Sequence, residues 1–355
     1  LCCKSPFDPR NYQEQPKPEM IPLSPACLES EAWQREMAEA VTEPMELLRL
    51  LDLDPAQLPG MLRERAAFPL RVPRYFVNLM KRGDPRDPLL AQVLPLAAEN
   101  ETVPGYVHDP VGDQAASHAN GILQKYHGRA LMVTTGACAV HCRYCFRRHF
   151  PYTEQSVLRH WRAALDRLRT LSDTTELILS GGDPLSLSDR RLGELITEAE
   201  TIPQLQRLRI HTRLPVVLPG RVTAALERLL SHSRFPTVVV IHCNHPNEVS
   251  PMLGEALARL RAAGAHLLNQ SVLLKSVNDD ADTLENLSES LFRAGVMPYY
   301  LHLLDPVAGA AHFDVALAQA RVLLNELQSR LPGYLVPRMV QEIAGEPCKT
   351  PVVCL

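Results

Sequence analysis

RALMVTTGACAVHCRYC, residues Arg129 to Cys145, joins a predicted β-strand to a loop that holds three cysteines. The run RALMVTT is short, apolar and β-branched, as expected of a strand buried in a parallel sheet. The loop after it places Cys138, Cys142 and Cys145 in a Cys-x3-Cys-x2-Cys spacing. Because the active sites of βα folds form where strands end in loops, this spacing predicts a thiol site at the carboxyl edge of a sheet.

Strand-like and helical patterns continue to alternate along the chain from about residue 127. Such alternation is typical of βα units built around a parallel sheet. The predicted strands are RALMVTT, TELILS, LQRLRIHT, TVVVIHC, AHLLNQSVLL and MPYYLHLL. Because six repeats fall short of the eight in a closed barrel, we predict an α/β fold with an open, partial (β/α)6 barrel.

The remaining sequence divides the chain into three segments. Residues 1–100 are rich in Pro and include the amphipathic patterns SEAWQREMAEAV and PMELLRLLDL, which predict a helical N-terminal extension. Residues 101–335 contain the predicted barrel, and residues 336–355 form a C-terminal segment expected to close the site.

Composition excludes several classes of protein. A formal net charge of -3 and a pI near 6.5 give no general basic surface for nucleic acid. No apolar run approaches the roughly 20 residues of a membrane span, and LCCKSPFDPR lacks the apolar core of a secretory signal, so we predict a cytoplasmic protein. The 9 cysteines are unevenly spaced and odd in number, which favours reduced thiols or metal ligands over a disulfide framework.

The number of clustered cysteines favours an iron-sulfur site over a structural zinc site. Structural zinc takes four ligands, whereas a 4Fe-4S cluster held by three thiolates leaves one iron open. Chance clustering or adventitious zinc is the alternative. The cysteine loop resembles that of the radical S-adenosylmethionine (SAM) superfamily, in which SAM binds the open iron. The resemblance implies that Tyr144 is the frequent aromatic residue of that loop, and that Gly181, Gly182 and Asp183, after the second strand, bind SAM.

A closer resemblance covers residues from about 100 to the end of the chain. Seven ordered segments are similar to those of the lysine 2,3-aminomutase family: CRYCFRR, LSGGDPL, LPVVLPGRVT, HCNHPNE, NQSVLLKSVND, MPYYLHLLD and CKTPVV. That family also uses pyridoxal 5'-phosphate (PLP), so three cofactors are implied: the 4Fe-4S cluster, SAM and PLP. The resemblance assigns the PLP Schiff base to Lys349, although the glycines that flank this lysine in the family are depleted here. Without the resemblance, Lys349 would be a solvated tail lysine.

The resemblance also implies which residues surround the cofactors. Arg129 and Lys125 are expected to bind the PLP phosphate, with Tyr126 between them, and the family commonly has Arg at the second of these positions. His242 and Gln270 are expected to border SAM and PLP. The alternatives are surface charges for the first pair and ordinary buried polar residues for the second.

Substrate recognition follows from the same resemblance. Arg147, two residues beyond the last clustered cysteine, is implied to bind the carboxylate of L-lysine, a task that suits a planar guanidinium. The ε-ammonium of lysine is implied to lie between Asp305 and Glu342, where the family has a second Asp in place of Glu342. Two carboxylates around one ammonium favour a lysine substrate over glutamate.

The implied activity is a radical SAM, PLP-dependent conversion of L-α-lysine to β-lysine, with a separate electron donor. The Pro-rich start, Glu342 and the tail GEPCKTP resemble the proteobacterial branch that makes (R)-β-lysine for elongation factor P, to which a separate ligase attaches it. The alternatives are an enzyme that makes (S)-β-lysine for catabolism or osmolyte synthesis, a related amino-acid 2,3-aminomutase, and a non-catalytic iron-sulfur sensor or binding protein. A homo-oligomer is possible.

Overall fold

The computed structural model describes residues 25–62, 66–118, 121–152 and 161–353. Cys2, Cys3 and Cys354, and the first residues of the helix predicted from residue 156, lie outside the described residues.

The described strands form a single sheet in which their spatial order is their order along the chain. Strands β3 to β9 run parallel, and antiparallel pairs border them at both ends. Since the described order is linear, the sheet is open, as predicted. The strands are β1 (Ser117–His118), β2 (Ile122–Leu123), β3 (Arg129–Thr135), β4 (Glu176–Gly181), β5 (Arg207–Thr212), β6 (Thr237–His242), β7 (His266–Val272), β8 (Met297–His302), β9 (Arg338–Gln341) and β10 (Thr350–Pro351).

The six predicted strands are confirmed as β3 to β8, with ends that differ by at most two residues. Every residue of β4 is buried, which explains its continuous apolar run, whereas buried and part-exposed residues alternate in β5 and β7. The sequence did not predict β9, a parallel strand beside β8. Its four residues are too few for periodicity to identify, and Pro337 precedes them directly.

Most of the longer helices follow strands and pack one apolar face on the sheet. Several begin at a side chain that accepts a hydrogen bond from the backbone N–H three residues on, such as Ser188, Thr223, Ser250 and Asp280. No helix among the described residues is long and apolar enough to cross a membrane. The helices are α1 (Pro25–Ala38), α2 (Pro44–Leu50), α3 (Arg74–Val77), α4 (Pro88–Ala91), α5 (Trp161–Thr170), α6 (Asp189–Glu200), α7 (Leu214–Val217), α8 (Ala224–His232), α9 (Pro251–Ala262), α10 (Ala281–Arg293) and α11 (Leu317–Arg330).

The N-terminal helices share the apolar core of the barrel. Trp33 of α1 and Leu47 of α2 belong to the same cluster of buried residues as Leu177 of β4. Trp33 is buried, and the guanidinium of Arg221 lies 4.6 Å from the centre of its ring. The N-terminal helices are therefore packed against the barrel by a continuous hydrophobic contact.

Candidate active site

A cavity of about 570 Å³ runs through the barrel and contains every residue that the sequence predicted for the site. The cysteine loop lies after the carboxyl end of β3, and Arg129 lies at its amino end. With a rise of about 3.3 Å per residue, β3 separates these two ends of the cavity by roughly 20 Å. The predicted residues that line it are Lys125, Tyr126, Arg129, Cys138, Cys142, Cys145, Arg147, Gly181, Gly182, Asp183, His242, Gln270, Asp305, Glu342 and Lys349.

The three clustered cysteines are unpaired thiols that face this cavity. Burial raises the pKa of Cys138 well above its ordinary value and that of Cys145 to about 11, so both are neutral thiols until a metal displaces the proton. Among the described residues, no group of three or more His, Cys, Asp or Glu side chains is arranged to hold a metal ion. The assignment of the thiols to a cluster therefore depends on their spacing and their shared cavity.

The double glycine after β4 packs directly on the cysteine loop. The Gly182 N–H donates to Thr135 O at 2.7 Å, and the Asp183 N–H donates to Ala137 O at 2.8 Å. A Cβ added to Gly182 would lie 2.4 Å from Ala137 O, and Gly181 has a φ of +130°, a conformation that disfavours side chains. The sequence predicted a close approach to a ligand here; the close approach in the structure is between two backbone segments.

Asp183 ties the loops after β4 and β5 together. Its carboxylate accepts hydrogen bonds from Thr212 Oγ1 at 2.7 Å and from three backbone N–H groups, those of Leu185, Arg213 and Leu214, at 3.0, 2.7 and 3.0 Å. Burial raises its pKa, and these bonds oppose that rise. These four protein donors give the carboxylate of Asp183 a role in holding the two loops together, while its predicted contact with SAM stays a prediction.

A chain of alternating charges crosses the cavity. Arg147 Nε lies 2.6 Å from one carboxylate oxygen of Asp113, and Lys125 Nζ lies 2.6 Å from the other. Lys125 Nζ also lies 2.9 Å from Glu342 Oε1, while Glu342 Oε2 forms an ion pair with Lys349 Nζ. Burial raises the pKa of Glu342, but the ammonium groups of Lys349 and Lys125 outweigh it and hold the pKa at about 2. Glu342 is therefore ionised at neutral pH.

Lys125, which is predicted to bind the PLP phosphate, lies between two carboxylates in the structure. Lys125 Nζ donates hydrogen bonds to Glu342 Oε1 at 2.9 Å and to Val111 O at 2.8 Å, and it forms an ion pair with Asp113. Its role at the phosphate stays a prediction. Arg129 lies against the ring of Tyr126, with its guanidinium carbon 5.2 Å from the ring centre.

Asp305 differs from Glu342 because it forms no ion pair within the described part of the chain, although the charges of Lys349 and Lys125 act on it from a distance. Its Oδ1 atom is buried and has no hydrogen-bond partner among the described residues. Burial and the nearby charge of Glu342 raise the pKa of Asp305 to about 7. A buried carboxyl group without a partner is complementary to a cation that enters the cavity.

Histidines provide neutral polar groups along the cavity wall. His242 Nε2 lies 2.7 Å from Gln270 Nε2, and burial, with the charges of Arg213 and Arg147, lowers the pKa of His242 to about 3. The neutral ring therefore accepts a hydrogen bond from the amide. His211 and His302 also line the cavity, and the Nε2 atom of each is buried without a partner in the described structure.

Several of these residues were not predicted as part of the site. His211 and His302 lie inside strands, where sequence alone does not distinguish a cavity residue from a core residue. Asp113 belongs to a loop far from Arg147 in sequence, and Gln92, which follows the short helix α4, contacts the cavity residues Tyr144 and Arg213. A buried carboxylate or amide of this kind is identified only by its partners in space.

Comparison with known proteins identifies the family. The model of the radical SAM superfamily matches residues 132–287. L-lysine 2,3-aminomutase of Escherichia coli (strain K12) is 51% identical over 326 residues, covering 91% of this chain and 94% of that protein. The same enzyme of Haemophilus influenzae is 46% identical over 332 residues, with coverages of 93% and 98%, and that of Clostridium subterminale is 31% identical over 323 residues, with coverages of 90% and 77%. This chain belongs to the lysine 2,3-aminomutase family of radical SAM isomerases.

Proposed function

We propose that this chain converts L-α-lysine to β-lysine with a 4Fe-4S cluster, SAM and PLP. The observation that carries the proposal is one cavity lined by groups complementary to both ends of lysine. Arg147 is suited to the carboxylate of lysine, and Asp305 and Glu342 are suited to its ε-ammonium. Lys349 supplies the primary amine that forms a Schiff base with PLP. The cysteine loop lines the same space.

Residues of the chemistry that each of the three cofactors needs line the same cavity. Cys138, Cys142 and Cys145 would hold the cluster, and Lys349 would bind PLP, with Arg129 as the cation for its phosphate. SAM would contact the backbone after β4, together with the neutral pair His242 and Gln270. When bound, these groups supply an organic radical that removes hydrogen from the substrate and a conjugated ring that carries the migrating amino group.

Arg147 is prepared to orient a carboxylate. Asp113 accepts from its Nε, Ser180 Oγ accepts from its Nη1 at 3.0 Å, and the ring of Phe146 lies 4.8 Å from the guanidinium carbon. These contacts hold the plane of the guanidinium, and none of them uses Nη2, which would bind the carboxylate. A fixed carboxylate fixes the adjacent Cα and Cβ, between which the amino group moves.

Asp305 would couple lysine binding to loss of a proton. Its pKa is about 7, so a substantial fraction is protonated at neutral pH. An ammonium beside it favours the ionised form and lowers that pKa. Binding of the ε-ammonium would therefore release a proton and form an ion pair at a buried carboxyl oxygen, where such a pair is stronger than in water.

The biological role that we propose is synthesis of (R)-β-lysine for elongation factor P, with a separate ligase as the next enzyme. Support comes from the Pro-rich start, Glu342 and the tail GEPCKTP, which resemble the branch that modifies elongation factor P. Glu342 and Lys125 add support, because these two departures from the family pattern contact each other at 2.9 Å. Glu in place of Asp at 342 and Lys in place of Arg at 125 therefore occur at two positions that contact each other.

An anaerobic assay of reconstituted protein with SAM, a reductant and either lysine or glutamate tests the proposed reaction. Formation of β-lysine alone is expected. A β-amino acid from glutamate would overturn the substrate assignment. A non-catalytic iron-sulfur protein would form neither product, and borohydride reduction would then link no PLP to Lys349.

A further inference from the structure

Arg213 contacts one of the clustered thiols and is not explained by the proposed chemistry. Its Nη1 lies 2.9 Å from Cys142 Sγ, and the side chain is almost completely buried. We propose that Arg213 donates a hydrogen bond to the Cys142 thiolate of the iron-sulfur cluster and thereby raises the cluster's reduction potential. This inference rests on the cluster of the proposed function.

Buried partners hold the Arg213 guanidinium in place. Its Nη2 donates to Gln92 Oε1 at 2.8 Å and to Glu248 Oε2 at 3.2 Å, on the side away from Cys142. Gln92 Nε2 in turn donates to Glu248 Oε1 at 3.0 Å, and both side chains are fully buried. The cation therefore cannot turn away from the sulfur without losing these bonds.

Tyr144 and Asn244, beside Arg213, are also held by hydrogen bonds. Tyr144 OH contacts Arg213 Nη1 and lies 2.6 Å from Asn244 Nδ2. Asn244 Nδ2 donates to Gln92 Oε1 at 2.9 Å, which joins the two sets of contacts. The aromatic residue of the cysteine loop is thus part of the structure that holds the arginine.

Stability alone does not account for a buried ion pair at this position. Removing two charges from water is unfavourable, and apolar residues of similar size often stabilise a protein as well or better. The pair is oriented, with the cation of Arg213 facing the sulfur and the anion of Glu248 behind it. A cation oriented in this way stabilises negative charge on the sulfur of Cys142.

Reduction adds an electron to the cluster, so the reduced state is the more negative one. A nearby fixed cation and an N–H···S bond stabilise the added charge, and hydrogen bonds to sulfur and net charge are known determinants of cluster potentials. Arg213 would therefore make the cluster easier to reduce. Glu248, which contacts the other terminal nitrogen of Arg213, would offset part of this effect.

Potentiometric titration followed by electron paramagnetic resonance tests the proposal in anaerobically reconstituted full-length protein. Arg213→Gln keeps a hydrogen-bonding side chain but removes the charge, and its potential is expected to fall by at least the equivalent of a tenfold change in the reduction equilibrium, about 59 mV for one electron. Glu248→Gln is expected to raise the potential. Arg190→Gln, on the exposed face of α6, makes the same charge change at the surface and is expected to leave the potential unchanged.

The opposite signs distinguish an electrostatic role from a structural one. Equal potentials in the original chain, Arg213→Gln and Glu248→Gln, at equal iron content, would refute the proposal, as would a fall in both variants. If the Arg213→Gln variant binds no cluster, the Glu248→Gln variant alone tests the proposal. An unchanged or lower reduction potential in that variant would then refute the proposal. A lack of any reducible cluster in the original chain would instead refute the proposed function.

Discussion

Substitution of Gly182 by alanine is expected to displace the cysteine loop. The new Cβ would lie 2.4 Å from Ala137 O and 2.7 Å from Gly136 C, whereas ordinary contacts begin at 3.4 Å. The two backbone segments must therefore separate by about 1 Å, which stretches the hydrogen bonds that join them. Overpacking of this kind destabilises a protein by about 1–3 kcal/mol.

The experiment measures urea unfolding and iron bound per chain after anaerobic reconstitution. Gly182→Ala is expected to lower the free energy of unfolding by about 1–3 kcal/mol and to reduce iron content, because the loop carries all three proposed ligands. Gly254→Ala is the matched control, since a methyl group added there, in α9, meets no atom within 4 Å. It is expected to be neutral or slightly stabilising, because Ala favours helices over Gly. Equal stability and equal iron content in the two variants would show that the glycine packing described here does not position the cysteines.

Three further predictions concern the cavity. The KM for lysine should fall as pH rises towards about 7, because ionisation of Asp305 creates the ammonium site. Asp305→Asn should raise KM and abolish this pH dependence. A pH dependence retained in the variant would assign the titration to another group. Borohydride should link PLP to the original chain and to Lys125→Ala but not to Lys349→Ala, whereas trapping in the last variant would place the Schiff base on another lysine. Arg147→Lys should weaken binding of lysine about tenfold or more while leaving 1,5-diaminopentane, which lacks a carboxylate, nearly unaffected, and equal losses for both would contradict the carboxylate contact. Isothermal calorimetry measures both affinities.

The sheet could be predicted from sequence because the strands β3 to β8 satisfy a simple periodic rule. Each is a run of apolar or alternating residues followed by a helical pattern that begins at a capping residue such as Ser188 or Asp280. The cysteine motif could be predicted for a similar reason, because its spacing is local. Short strands such as β9 carry too few residues for either signal.

The partners of the charged residues could not be predicted, because they come from distant parts of the chain. Lys125 and Glu342 were each identified as single departures from a family pattern, and only the fold shows that they contact each other. Asp183 was similarly identified from its motif, but its hydrogen bonds to the loop after β5 give it a structural role. Sequence therefore predicted which residues gather in the cavity better than it predicted what each one contacts.

Chiral analysis of the product formed from L-lysine tests the central proposal most directly. Reconstituted protein, SAM and a reductant are incubated without oxygen, and the β-lysine is separated by enantiomer. The proposal predicts (R)-β-lysine, with no product from Lys349→Ala. Formation of (S)-β-lysine would contradict the role in elongation factor P modification, and a lack of any β-lysine would contradict the proposed reaction itself.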